Sequence, residues 1–272
     1  MIDLETQKTA STHLWRSREN GQTVRPEISI VIPTYGRGKV LGRHVDHIRD
    51  ILRAHFEEKT TFEIILVDDH SPDGSAEVIR RLAARYPEIR GILLAYNAGQ
   101  QNATLAGLRL ASGDSVITMD DDLKDNPNEI PRLLEALRHD VDVVYGVPDC
   151  PIHASNLRRW GTKGKDYLIA RLSGRPVDMR LTGFRAIRRT TVDRICLETR
   201  SQVYISATIL QEPVRIGQLP VQGRHESAQA SGYTILRLLR VFAQLAFQYG
   251  RSPLLRPFKR IGEQYEILEV VG

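Results

Sequence analysis

Short apolar runs separated by polar turns alternate with amphipathic stretches along the first half of the chain. The runs "ISIVI" at 28–32, "FEIILV" at 62–67, "IRGILLA" at 89–95 and "SVITM" at 115–119 predict four strands, and "VDVVYGV" at 141–147 a fifth. Between them, Val40, Leu41, Val45, Ile48, Ile51, Leu52 and Phe56 recur every three or four residues, as do Val78, Ile79, Leu82 and Tyr86. Each series predicts a helix with one apolar face. Ala103, Ala106 and Leu110 mark a third, closed by "SGD" with Gly113 placed for a left-handed C-terminal cap. Strands alternating with helices predict an α/β fold, a mostly parallel sheet with helices on both faces. Ligands of such sheets bind beyond the carboxyl ends of the strands.

Beyond 148 the pattern is less regular, and residues 26–230 read as one domain. Residues 1–25 are polar and read as an arm, without the apolar core of a secretory signal. Residues 231–272 read as an amphipathic helix and basic tail, with Ile235, Leu238, Leu239, Phe242, Leu245 and Tyr249 on one helical face. Arg237, Arg240, Arg251, Arg256, Lys259 and Arg260 suit that helix to an anionic membrane surface; packing on the core or against a second copy of the chain is the other use of its apolar face.

The composition, 41% hydrophobic and 26% charged over 272 residues, is that of a soluble globular protein, and no apolar run is long enough to cross a bilayer. A formal charge of +5 favours anionic partners. With 6% aromatics and no recognisable nucleic-acid motif, nucleic acid is not expected among them. Cys150 and Cys196 are the only cysteines, which fits a reducing, cytoplasmic setting.

The unusual residues stand where the strands end: "PTYGR", "DDHSPDGS", "NAGQQN" and "DDDLKDNP". Four such loops would meet on one rim. Asp120, Asp122 and Asp125 offer oxygen ligands for Mg²⁺ or Mn²⁺, which complete their shells with substrate phosphates; the alternative is a solvated turn with Asp125 capping the next helix. Asp68 and Asp69 are placed to accept hydrogen bonds from a ribose or a base. Pro33 is expected to fix a chain reversal that sets Tyr35 against a base, and Gly99 to admit close backbone approach. Ser71 reads as a cap and "DG" at 73–74 as a turn.

In this order, "ISIVIPTYGR", "EIILVDDHSPDGS", "NAGQQNATLAGLRLASGDSVITMDDDLKDNPNEIP" and "TGFRAIRR" resemble the inverting family-two glycosyltransferases of the GT-A, Rossmann-like fold, and among them the polyprenyl-phosphate sugar synthases. The resemblance implies a nucleotide-diphosphate sugar donor (UDP or GDP), a metal ion and a polyprenyl phosphate acceptor at the cytoplasmic membrane face. By it Pro33, Thr34, Tyr35 and Asp69 contact the nucleoside and Asp68 shapes that pocket. Asp120 and Asp122 serve metal and diphosphate, with Asp121, Gly99 and Gln100 beside them. Thr182, Gly183, Phe184 and Arg185 border the reaction centre. Asp122, Arg185 and Asp178, a carboxylate before "TGF", are the candidate catalytic residues.

Two departures from the pattern matter. Lys124 replaces a metal-assisting glutamine, and could pair with the diphosphate instead. The acceptor loop keeps Ser231 and Tyr233 but has Glu226 and Gln229 at its Arg and Gly positions, with Arg224 and His225 nearby. These departures leave two rival readings: a transferase with a soluble or protein-attached hydroxyl acceptor, and a sugar-nucleotide binder that does not transfer.

Overall fold

A computed structural model describes residues 17–19, 22–56, 60–121, 125–149, 179–222 and 262–272. Two three-residue strands, β1 (Ser17–Glu19) and β2 (Gln22–Val24), pair as a hairpin within the segment expected to be an arm. The main sheet contains β3 (Ile28–Thr34), β4 (Phe62–Asp68), β5 (Ile89–Leu94), β6 (Ser115–Thr118), β7 (Val143–Pro148), β8 (Arg185–Arg188), β9 (Ile216–Val221) and β10 (Ile267–Val271). Its order is β10-β5-β4-β3-β6-β8-β7-β9. From β5 to β6 neighbours are parallel; β8 enters antiparallel between β6 and β7, and β10 lies antiparallel along β5.

The parallel strands are apolar on both faces because both are covered. On one face, α1 (Gly38–His55), α2 (Ser75–Arg85) and α4 (Ile130–Arg138) bury Leu41, Val45, Ile48, Ile79 and Leu133 against Ile30, Ile32 and Leu66. On the other, α3 (Gln100–Leu110), α5 (Arg189–Ile195) and α6 (Ile205–Gln211) bury Leu105, Val192 and Ile209 against Val31, Ile65 and Tyr145. Successive residues of each strand thus serve opposite cores, as the two-residue strand period requires.

Three local expectations are corrected. Gly113 does not form a left-handed cap: α3 ends at Leu110 and Ala111 is extended (φ −60°, ψ 133°). A side chain at 113 would instead lie 2.6 Å from the Ser29 nitrogen, so glycine is needed there for close packing on β3. Pro33 does not turn the chain but continues β3 opposite Val67; the reversal falls at Gly36, with φ +70°. The last residues form β10 rather than a basic tail, because the apolar run at 267–271 finds an open edge on β5 and Arg80 on α2 holds Glu269 at 2.6 Å. Residues 231–261 of the expected amphipathic helix lie outside the described residues. No helix among the described residues is long and apolar enough to cross a membrane.

Candidate active site

The β3–β6 ladder stops at Val31 and Thr118, and proline at 33 offers no further donor to that side. Beyond this point the two chains part, and Asp120 and Asp121 emerge where the parallel strands end. A cleft of about 470 Å³ opens here. Pro33, Thr34, Tyr35 and Arg37 line it from the β3 loop, Asp69 from the end of β4 and Asn97, Gly99 and Gln100 from the loop into α3. Asp120 and Asp121 complete the described wall.

Asp69 is almost fully buried, 3% exposed. Its carboxylate accepts hydrogen bonds from the amides of Ala98 (2.7 Å) and Gly99 (3.0 Å), which ties the β4 end to the start of α3. Burial pushes its pKa up, and the two amides oppose that shift. Gly99 stands at φ +88°, a conformation that strains any other residue, so its amide can turn toward Asp69. Asp68 does not line the cleft; one of its oxygens accepts the Ser71 amide at 3.2 Å and it braces the loop from behind.

The adjacent carboxylates at 120 and 121 divide their work. Asp121 accepts the Thr34 hydroxyl at 2.6 Å and the Tyr35 amide at 3.2 Å, with Arg37 3.8 Å from its other oxygen. It therefore clamps the β3 loop. Asp120 accepts the side-chain amide of Gln100 at 2.6 Å, while its own backbone amide is held by Asp125 at 3.0 Å. Asp125 is thus engaged with Asp120, and Asn126 caps the following turn by accepting the Asn128 amide. Gly183 lies against Asp120: a side chain there would come within 2.7 Å of the carboxylate.

Amides 35 to 38 are all taken by side chains. After Tyr35, that of Gly36 goes to the Ser71 hydroxyl (3.0 Å), that of Arg37 to Ser75 (3.3 Å) and that of Gly38 to Asp73 (3.0 Å). Ser71 is therefore a clasp between loops rather than a helix cap. Tyr35 stays 53% exposed on this fixed loop, available as a flat surface at the rim.

The "TGFR" segment is only partly in the cleft. Gly183 touches Asp120, but Phe184 is a core residue, and the Thr182 hydroxyl donates to backbone oxygens of Gly146 and Phe184. Arg185 is 2% exposed and is not a lining residue. Its guanidinium donates to the Thr118 hydroxyl (3.0 Å) and to Ser206 (2.9 Å), near the Tyr145 ring. The Thr118 hydroxyl in turn donates to the carbonyl of Gly183, the residue that lies against Asp120, at 2.6 Å. Asp122, Lys124, Asp178, Arg224 and Ser231 lie outside the described residues.

Sequence reasoning missed Arg37 and Asn97 as lining residues. Arg37 ends the quoted "PTYGR" stretch, and its charge beside three acids was the available signal.

A family model described as Glycosyl transferase family 2 matches residues 29–196, more than half of the 272-residue chain. The chain belongs to that family. An undecaprenyl-phosphate 4-deoxy-4-formamido-L-arabinose transferase of Sodalis glossinidius is 32% identical to this glycosyltransferase over 246 residues, covering 89% of this chain and 73% of that one. Its counterpart in Aeromonas hydrophila is 31% identical, covering 84% and 69%. Among solved structures, the mannosyltransferase PcManGT from Pyrobaculum calidifontis, in complex with GDP-Man and Mn²⁺, superposes with a TM-score of 0.57 at 19% identity, covering 93% of this chain and 72% of that one. Glucosyl-3-phosphoglycerate synthase from Mycobacterium tuberculosis, in complex with UDP, gives 0.57 at 16% identity, covering 90% and 84%. At such identities the likeness is one of fold, and it is the GT-A fold expected from the sequence.

Proposed function

We propose that this family-two glycosyltransferase takes a sugar from a UDP- or GDP-linked donor, with Mg²⁺ or Mn²⁺, and delivers it with inversion to a polyprenyl phosphate. The observation that carries the reading is the convergence of Tyr35, Asp69 and Asp120 on one cleft at the carboxyl ends of β3, β4 and β6. Tyr35 and Asp69 suit the nucleoside: one offers a ring face, the other a buried acceptor fixed by two amides. Asp120 suits the diphosphate end. Among the described residues no three metal-ligating side chains converge. One or two carboxylates are what Mg²⁺ and Mn²⁺ take from a protein when phosphates and water fill the rest of the shell. Asp120, steadied by Gln100 and given room by Gly183, fits that donor set, with Asp122 as its expected companion. The cation would neutralise charge building on the departing diphosphate.

The acceptor follows from the named relatives and from chemistry. A lipid phosphate arrives with its oxygen already ionised, so no general base is required at the attacking atom. The protein then acts from the β-phosphate side, where Asp120, through the cation it would hold, keeps the donor in line for attack from the opposite face. Lys124, Arg224 and Ser231 are assigned to the phosphates of donor and acceptor. The lipid is met at the cytoplasmic membrane face. The test is incubation with labelled UDP- and GDP-sugars, undecaprenyl phosphate and Mn²⁺, followed by solvent extraction. Label in the organic phase with inverted anomeric configuration supports the proposal. Label transferred only to water-soluble products would establish a hydroxyl acceptor instead, and nucleotide binding without transfer would establish a silent binder.

A further inference from the structure

We infer that Arg37 is a donor-recognition residue, whose guanidinium leaves Asp121 to bind the diphosphate of the nucleotide. This rests on the donor class proposed above. The described wall of the cleft carries three acids, Asp69, Asp120 and Asp121, and Arg37 is its one cation among the described residues. A nucleoside diphosphate adds further negative charge to that wall, and a cation already on the rim lowers the resulting repulsion.

The position of Arg37 favours this role over a purely structural one. Its link to Asp121 is a single contact at 3.8 Å with the arginine side chain 41% exposed, a geometry that holds weakly in water. Asp121 is also fixed by the Thr34 hydroxyl and the Tyr35 amide, so the clamp survives release of the arginine. The backbone at 36–38 is pinned by Ser71, Ser75 and Asp73. A long side chain on a rigid loop can thus swing between two anions without moving the nucleoside pocket. Its planar fork of donors matches two phosphate oxygens at once.

The experiment titrates the full chain with UDP and GDP, and separately with uridine and guanosine, in EDTA and in Mn²⁺. Wild type is compared with Arg37→Gln, Arg37→Lys and, as a control on the outer part of α1, Arg43→Gln. Arg37→Gln should weaken the bound diphosphate about tenfold, leave the matching nucleoside unchanged and flatten the salt dependence. Arg37→Lys should recover part of the loss, and Arg43→Gln should match wild type. Equal loss for nucleoside and diphosphate would show that Arg37 only shapes the Tyr35 loop. No loss for either would leave it a surface partner of Asp121. Both results overturn the inference while the proposed function stands, whereas wild type binding neither diphosphate removes both.

Discussion

The two ends of the central sheet treat their carboxylates differently. At the amino ends Glu63 accepts the Ser29 hydroxyl (2.6 Å) and both the amide and hydroxyl of Ser112 (2.7 and 2.8 Å), and Arg90 pairs with its other oxygen at 2.9 Å. Burial lowers the Arg90 pKa, and the charge of Glu63 opposes that shift. At the carboxyl ends Asp69 and Asp120 take the donors described above from neutral amides, and the nearby described cation, Arg37, leans on Asp121. An acid matched by a buried cation belongs to the fold. Acids that accept neutral amides at an open cleft are placed to meet an incoming cation or polar ligand.

The strongest way to break this contrast is Glu63→Ala, which removes the buried carboxylate that pairs with Arg90. Denaturant unfolding should show a loss of about 3–5 kcal/mol, with the activity of the protein that remains folded unchanged. At the opposite rim, Asp120→Asn should cut turnover by about 100-fold or more while the unfolding midpoint stays close to wild type. A comparable loss of stability would show that Asp120 belongs with Glu63. Gly183→Ala sharpens the point, because its methyl group presses on the Asp120 carboxylate: about tenfold in kcat is expected, with nucleoside binding intact. The smallest effect concerns Asp73, whose carboxyl is held below the ordinary aspartate value chiefly by the Ser75 hydroxyl. A depressed acid stabilises the fold above its unfolded pKa, so Asp73→Asn should lower Tm slightly at neutral pH. The difference should close as pH falls through the folded-state value, below the ordinary 3.8. A gap that persists in strong acid would mean that the hydrogen bonds to Gly38 and Ser75 do not depend on charge.

The parallel half of the fold was legible because its signals are local. Ile28 to Leu110 alternates buried strands with helices whose apolar residues repeat every three or four positions, and the loops at 33–37, 68–75, 97–102 and 120–127 were placed on one rim from that alternation. The antiparallel strand β8 was not legible: its four residues are chosen by partners on β6 and β7, far away in sequence, and "RAIR" has no strand signature of its own. The same reason hid β10. Within the site, residue type located the acids but did not divide their roles. Asp120 and Asp121 are adjacent and identical, and only the backbone turn after β6 sends one toward Gln100 and the other toward Thr34. Arg185 illustrates the converse, since a guanidinium reads as a substrate contact until its strand register turns it toward Thr118 and Ser206.

The pairing of β10 with β5 bears on how the molecule is assembled. The ion pair between Arg80 and Glu269 joins positions 189 residues apart. Closing so long a loop is thermodynamically cheap, since each doubling of length adds only about 0.6 kcal/mol. It is slow to find, however, because remote strand pairing must wait for the rest of the sheet to form. The outer border of the sheet, with the side of Gly91 that Val271 covers, is therefore sealed last. Until that moment β5 shows an unsatisfied backbone to every neighbouring molecule, and a chain from which residues 267–271 are withheld would carry an adhesive edge there.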